Sequence, residues 1–240
     1  MKNYAETKKT YSAVHRGDEI EAVEFLASFV KNGNALELGI GTGRIALPLL
    51  QMGVSVYGID ISRSTVSLLK KRPQGNKILV KIGDMSDVPI EGKFDLIYVV
   101  WNSFYNLPTQ ELQLKCFKNV AKHLNPNGAF VIEAYMPTFL YKLDNNQYVR
   151  AEGIEIDEVG LDVLMHDPSK QIIHESHIYI TSKGIELCPV VQRYAWPSEL
   201  DLMANVSGLT LSERWGNWHK RLFDRSSEIH ISVYKKKNVQ

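Results

Sequence analysis

The first half of the chain alternates between short apolar runs and longer segments whose apolar residues recur at helical spacing. The predicted strands of this half are Ala35–Leu38, Val54–Ile59, Ile78–Ile82, Phe94–Val100 and Ala129–Tyr135. The predicted helices are Asp18–Val30, Arg44–Met52, Ile61–Arg72 and Thr109–Leu124. Strands this short and this apolar are typical of a parallel sheet covered by helices on both faces. The pattern therefore predicts an α/β, doubly wound, Rossmann-like fold.

The pattern changes after Pro137, where helical spacing gives way to short β-like stretches separated by turn signals. These stretches are Ile154–Val159, Val163–Met165, Ile172–Ile180, Ile185–Leu187 and Val190–Tyr194. They predict an antiparallel β meander inserted into the α/β domain. A helix at Ser198–Val206, strands at Leu209–Trp215 and Glu228–Tyr234, and a solvated lysine tail at 235–237 are expected to follow.

The same change of pattern predicts the domain organisation. Residues 1–136 and 196–240 form one domain, and residues 137–195 form an inserted lid, substrate-binding or dimer subdomain. An exposed sheet edge in the insertion would favour pairing of two protomers, so a monomer and a homodimer both remain open.

Composition narrows the class of function. The 240 residues carry 28 Lys and Arg against 27 Asp and Glu, a net charge of +1. A dedicated nucleic-acid-binding protein usually carries a strong cationic excess, so no nucleic-acid partner is expected. The two cysteines form no CxxC motif, and no apolar leader or run long enough to cross a bilayer is visible. A cytoplasmic protein with free thiols and no membrane partner is expected.

A glycine-rich turn follows the first predicted strand, in the sequence Glu37-Leu38-Gly39-Ile40-Gly41-Thr42-Gly43-Arg44. Glycine at such a turn lets the backbone approach a ligand, and the start of the next helix offers free N–H groups. The dinucleotide fingerprint requires a glycine where this chain has Arg44, which disfavours an NAD-linked oxidoreductase. No GK[ST] sequence follows, so a nucleoside triphosphatase loop is excluded.

Acidic residues end the next two strands. Asp60 is placed to accept hydrogen bonds from the hydroxyls of a ribose. Asp84, in the turn Gly83-Asp84-Met85, is placed to accept from an exocyclic amine, and Met85 to pack on an adenine face. Each feature alone is also an ordinary turn or helix cap. Together, at the carboxyl ends of three parallel strands, they predict one shared nucleoside ligand.

The segments ELGIGTGR, YGIDIS, GDM and FDLIYVVWNSFYNL resemble those of class I S-adenosylmethionine-dependent methyltransferases of the small-molecule type. The resemblance implies a seven-stranded sheet in the order 3-2-1-4-5-7-6 with its last-numbered strand antiparallel. It also implies S-adenosyl-L-methionine as the cofactor. The cofactor-binding residues expected are Tyr11, Arg16, Glu37, Gly39, Gly41, Gly43, Asp60, Ile61, Asp84, Met85, Val100, Trp101 and Tyr105.

The segment from Tyr11 to Gly17 is similar to one that folds over the cofactor in small-molecule members of this family. By that resemblance Arg16 would hold the methionine carboxylate and Tyr11 would lie at the reacting end. His15 and His219 are the candidate general bases, although each is also compatible with an ordinary surface histidine. Methyl transfer depends mainly on positioning, and a base is needed only for a protonated acceptor.

The acceptor is expected to be a small molecule with a nitrogen or oxygen nucleophile, attacked by in-line displacement. The Asx-Pro-Pro-aromatic motif of nucleic-acid amino-methylases is absent after the fourth strand, and Cys188-Pro189 reverses the Pro-Cys order of cytosine C5 enzymes. No metal is predicted, because the spacing of His174 and His177 puts their rings on opposite faces of a strand. The alternatives are a non-catalytic cofactor-binding module and an RNA or protein methyltransferase.

Overall fold

The computed structural model describes residues 17–30 and 33–237. Its α-helices are α1 (Glu19–Ala27), α2 (Ala46–Gln51), α3 (Arg63–Lys71), α4 (Gln110–His123) and α5 (Pro197–Val206). The strands of the first half are β1 (Asn34–Leu38), β2 (Ser55–Asp60), β3 (Leu79–Ile82), β4 (Phe94–Val99) and β5 (Leu124–Tyr135). Those of the second half are β6 (Gln147–Ile154), β7 (Glu158–Asp167), β8 (Ile172–Thr181), β9 (Gly184–Arg193), β10 (Leu209–Trp215) and β11 (Ile229–Lys236).

The main sheet has seven strands in the order β3-β2-β1-β4-β5-β11-β10. Strands β1 to β5 pair in parallel, and β11 runs antiparallel to β5. This is the predicted order 3-2-1-4-5-7-6, with β11 in the place of strand seven and β10 in that of strand six. The predicted doubly wound fold is therefore confirmed.

Alternate residues of the central strands supply two cores, one on each face of the main sheet. In β4, Ile97 and Val99 belong to the cluster that includes α4 and α5, whereas Leu96 and Tyr98 belong to the cluster that includes α1 and α2. A strand buried on both faces must be apolar throughout, which explains its continuous apolar run. Parallel pairing then brings the carboxyl ends of β1 to β5 to one edge of the sheet.

The predicted meander is a four-stranded antiparallel sheet in the order β6-β7-β8-β9. Two of its predicted boundaries are wrong. The stretch Ile154–Val159 contains the turn between β6 and β7, where the Glu155 N–H donates to the Glu158 carbonyl. The stretches Ile185–Leu187 and Val190–Tyr194 are one strand, because β9 lies at an edge, where Pro189 does not interrupt a ladder.

The end of the chain also differs from the prediction. Lys235 pairs with Thr210 and Lys236 with Leu209 in the last hairpin of the main sheet, so they are not a solvated tail. In the described part of the chain, every helix is too short or too polar to cross a membrane.

Candidate active site

Three loop tips are hydrogen-bonded to one another at the carboxyl edge of the main sheet. The Gly41 N–H donates to Asp60 Oδ2 at 2.7 Å, which joins the glycine-rich turn to the end of β2. The Gly83 N–H donates to the Asp60 carbonyl at 3.0 Å, which joins the turn after β3 to the same place. The three segments that the sequence singled out therefore meet at one point.

Two positions of the turn favour glycine for different structural reasons. Gly41 has a φ of +54°, and a Cβ built on it would meet no described heavy atom within 4 Å, so the backbone there borders open space. Gly43 has a φ of +76°, and its Cβ would lie 2.4 Å from Leu69 Cδ1 of α3. Gly43 therefore permits close helix packing, while Gly41 presents bare backbone toward a ligand.

Asp60 is fixed by its own loop. Its carboxylate accepts from the Gly41 N–H and, at 2.8 Å, from the Ser62 N–H. Burial raises the pKa of Asp60, and the backbone N–H donors oppose that shift. Ile61 is 46% exposed beside it, an apolar surface at the rim. The arrangement suits a ribose with an apolar base stacked nearby.

The turn after β3 is equally ordered. Asp84 Oδ1 accepts from the Ser86 N–H at 2.7 Å. Met85 is half-buried, and its Cε would lie 3.9 Å from a Cβ on Gly39, so the Met85 side chain reaches back to the glycine-rich turn. The same Cβ would lie 3.3 Å from Ser103 Cβ, in the segment that follows β4. The turns that follow β3 and β4 thus both approach Gly39.

Glu37 lies beneath the turn, 3% exposed. The Tyr98 hydroxyl donates to Glu37 Oε2 at 3.0 Å. Burial raises the pKa of Glu37 to about 8, against the opposing effects of Tyr98 and Arg44. Burial therefore favours the protonated form of Glu37.

Arg44, which departs from the dinucleotide pattern, also contacts two other segments of the chain. Its guanidinium lies 3.4 Å from the centroid of the Trp101 ring, and its Nη1 lies 3.1 Å from Glu19 Oε1 of α1. A guanidinium stacked on an aromatic face is a rigid cation. No pattern in the sequence indicates this contact, because the partners are far apart along the chain.

Trp101 and Asn102 occupy the left-handed region, with φ of +52° and +60°. Two consecutive non-glycine residues in this region cost conformational energy that their neighbours must offset. The Trp101 N–H donates to Glu133 Oε2, and Asn102 Oδ1 accepts from the Tyr135 N–H at 2.7 Å. Val100, 7% exposed, precedes this turn. Glu133, which the sequence analysis did not select, therefore shapes the rim after β4.

Tyr105 is placed in the core and not at the surface of the rim. It is fully buried, and its hydroxyl donates to the carbonyls of Ala195 at 3.0 Å and Tyr135 at 3.1 Å. These bonds give it a supporting role below the rim, and its contact with the cofactor stays a prediction.

Of the two candidate bases, only His219 lies within the described residues. His219 is on the surface between β10 and β11, its side chain 71% exposed and its Nε2 3.7 Å from Glu21 Oε1 of α1. His15, Tyr11 and Arg16 lie outside the described residues.

The antiparallel sheet, which we call the lid sheet (β6 to β9), turns a polar face toward the main domain. Leu164 and Ile173 on this face join the main core. Glu175 is paired with Leu164 in the next strand. Burial raises the pKa of Tyr135, the residue that ends β5, and the charges of Tyr105 and Glu175 add to that shift. Burial, together with the Asp162 and Glu152 carboxylates, raises the pKa of Glu175 to about 7.

One group in the described ranges has the residue types of a metal site. His177 Nδ1 lies 2.5 Å from Asp162 Oδ1 and 3.3 Å from Glu152 Oε2, all on the inward face of the lid sheet. Arg150 Nη2 already pairs with Asp162 at 3.1 Å. Since Arg150 pairs with Asp162 and His177 Nδ1 contacts both carboxylates, protein groups already contact the acidic members of this cluster and we assign it no ion.

Comparisons with known proteins show the family to which the chain belongs. A family model described as a methyltransferase domain matches residues 35–128. A putative methyltransferase of Bacillus subtilis, YqeM, is 30% identical over 85% of this chain and 68% of its own. The cypemycin N-terminal methyltransferase of a Streptomyces species is 24% identical over 74% of this chain and 72% of its own.

The solved structure of the CcbJ methyltransferase from Streptomyces caelestis is 33% identical and superposes with a TM-score of 0.89 over 97% of each chain. The similarity therefore extends through the lid sheet as well as the main domain. The chain is an enzyme whose cofactor is S-adenosylmethionine, and it belongs to the class I S-adenosylmethionine-dependent methyltransferases.

Proposed function

We propose that this enzyme methylates a nitrogen or oxygen nucleophile on a small molecule by in-line displacement, and that an amine is the favoured acceptor. The observation that carries this proposal is the acidic inward face of the lid sheet. Glu152, Asp162 and Glu175 share that face with a single arginine, Arg150. A surplus of carboxylates beside the rim attracts and orients a cationic amine.

The cofactor is proposed to lie across the loop tips. The residues assigned to it are Gly39, Gly41, Gly43, Asp60, Ile61, Asp84, Met85, Val100 and Trp101, with Glu37 below the turn. Open space above Gly41 and the fixed carboxylate of Asp60 fit a nucleoside. S-adenosylmethionine supplies an activated methyl group, and the protein aligns the acceptor with it in a site that excludes water.

Glu175 is proposed as the group that accepts a proton from the acceptor amine. It is half-buried on the inward face of the lid sheet, opposite Tyr135 at the end of β5. Its pKa of about 7 gives it basic character near neutral pH, which an alkylammonium acceptor requires before its lone pair can attack. His219 remains a second candidate, although its side chain is more exposed.

The name of one relative supports nitrogen over oxygen as the nucleophile. The cypemycin enzyme is named for methyl transfer to an N-terminus, and its similarity covers most of both chains. A free α-amine and an amino sugar present the same kind of nucleophile, a primary or secondary amine.

The test is methyl transfer from radiolabelled S-adenosylmethionine to acceptors grouped by chemistry: amino sugars, small amines, carboxylates, short peptides with free N-termini, and total RNA. Label is expected in a small amine, with Glu175→Gln slower than wild type on that acceptor. Transfer confined to RNA or to intact protein would contradict the proposal. The control is Glu186→Gln, a carboxylate on the same sheet face but further along the ladder.

A further inference from the structure

Three side chains join α1, the glycine-rich turn and the turn after β4. Arg44, which follows the last glycine of its turn, stacks its guanidinium on the Trp101 ring at 3.4 Å from the centroid. Its Nη1 lies 3.1 Å from Glu19 Oε1 at the start of α1. We call Glu19, Arg44 and Trp101 the rim clamp. Segments that are distant along the chain therefore meet in one contact at the edge of the sheet that carries the candidate site.

The Trp101 ring needs a contact of its own to hold its position. The φ of Trp101, +52°, lies in the left-handed region, which a bulky residue rarely adopts. Its backbone N–H is held by Glu133 Oε2. The side-chain torsions, however, turn the indole independently of that backbone contact. The stack on Arg44 fixes the face of the ring.

The guanidinium of Arg44 is engaged by protein groups. The Trp101 ring covers one of its faces, and Glu19 pairs with its Nη1. Glu19 is held in turn, because its Oε2 accepts from the Gly17 N–H at 3.0 Å. A guanidinium that is stacked and already paired with a carboxylate is poorly placed to bind a second carboxylate. Any effect of Arg44 on a ligand is therefore expected to act through Trp101.

Both ends of the stack lie next to the glycine-rich turn. On the Arg44 side, the charge of the guanidinium lowers the pKa of Glu37, below the turn, against the larger effect of burial. On the Trp101 side, Ser103 Cβ lies 3.3 Å from the position of a Cβ on Gly39. The stack is therefore part of the wall around this turn.

We propose that Arg44 is a positioning residue of the cofactor site, which holds the Trp101 ring in place so that the ring forms a wall for the bound cofactor. The assignment rests on the proposed place of the cofactor, in which Trp101 is a contact. A ring that is already fixed in the free enzyme loses less conformational entropy when the cofactor binds. Arg44 thus strengthens binding without contacting the reacting atoms.

The test is a double-mutant cycle on the binding of S-adenosylhomocysteine, measured by calorimetry on the full chain. Arg44→Gln is expected to weaken binding about tenfold when Trp101 is present, because a partly buried cation–aromatic contact has about that effect. In the Trp101→Leu background the same change is expected to alter Kd by less than about twofold, because the ring that Arg44 positions is gone. A stoichiometry of one site per chain shows that each variant is folded.

A second variant and a control complete the cycle. Arg44→Lys keeps the charge but not the planar group, and it is expected to show a smaller loss with the same dependence on Trp101. Lys118→Gln also removes one positive charge, at an exposed position of α4. It is expected to leave Kd unchanged in both backgrounds.

An equal loss on Arg44→Gln in both backgrounds overturns the proposal, because Arg44 would then act on the cofactor without Trp101. An unchanged Kd in Arg44→Gln overturns it as well. A Trp101→Leu variant that binds as tightly as wild type contradicts both this proposal and the contact of Trp101 with the cofactor. Absence of binding to wild type contradicts the proposed cofactor site as a whole, so the failures are distinguishable.

Discussion

Glu37 and Glu175 both have a raised pKa for the same reason, loss of hydration on burial, but with different consequences. Glu37 is sealed below the glycine-rich turn, where its carboxyl group accepts a hydrogen bond from the Tyr98 hydroxyl. Glu175 is half-buried on the lid sheet beside other carboxylates. Glu37 is enclosed by the protein, whereas Glu175 is the group that we propose exchanges a proton with an acceptor.

Replacement of Glu37 should change how stability depends on pH. Its pKa rises from 4.5 to about 8 on folding, so the folded chain holds the proton more tightly than the unfolded chain. The stability that this tighter proton binding contributes is complete below pH 4.5 and is lost as the pH rises through 8. The free energy of unfolding of wild type, measured with urea, should therefore fall across this pH range relative to that of Glu37→Gln. Parallel pH curves for the two proteins would contradict the assignment.

Replacement of Glu175 should change how activity depends on pH. With a pKa of about 7, the carboxylate form that accepts a proton disappears below that pH. The kcat of wild type on an amine acceptor should fall on the acid side with an apparent pKa near 7, and Glu175→Gln should lose this limb together with much of its rate. Glu186→Gln should keep both the acid-side fall of kcat and the wild-type rate. An unchanged limb in Glu175→Gln would exclude the role.

At the scale of elements, the turn after β4 depends on the strand beside it. The left-handed residues Trp101 and Asn102 are held by Glu133 and Tyr135 of β5. Parallel pairing of β4 with β5 brings these groups into register.

Glu133→Ala should remove the acceptor of the Trp101 N–H and destabilise the fold by about 1–3 kcal/mol, because a buried donor is left unsatisfied. Glu133→Gln retains an oxygen and should cost less. The measurement is chemical denaturation, with Glu91→Ala at an exposed position as the control. Equal stability of the Glu133→Ala and Glu91→Ala variants would show that the turn does not rely on this carboxylate.

Elements that depend on the local sequence could be predicted. Contacts that depend on which strands lie side by side could not. The apolar run of β4 and the glycine turn after β1 are visible in the sequence, because burial on both faces and a positive φ each restrict residue type. Glu133 and Glu175 sit inside predicted strands and look like ordinary polar positions. Their importance arises only from the strands that lie beside them, as does the contact between Arg44 and Trp101.

At the scale of the molecule, the main sheet is assembled from both ends of the chain. Strands β1 to β5 come before the lid sheet, and β10 and β11 follow it and complete the same sheet. We retain the proposed division into residues 1–136 with 196–240 and an inserted 137–195. Leu164 and Ile173 tie the lid sheet to the main core, so its polar face stays near the rim.

The most direct test of the site is calorimetric titration with S-adenosylhomocysteine, the product form of the cofactor. Wild type is expected to bind one molecule per chain. Asp60→Ala is expected to weaken binding by about 1–3 kcal/mol, roughly 5- to 150-fold in Kd, with Glu91→Ala unchanged. Absence of binding to wild type, or an unchanged Kd in Asp60→Ala, would contradict the convergence of the three loop tips on one adenosyl group.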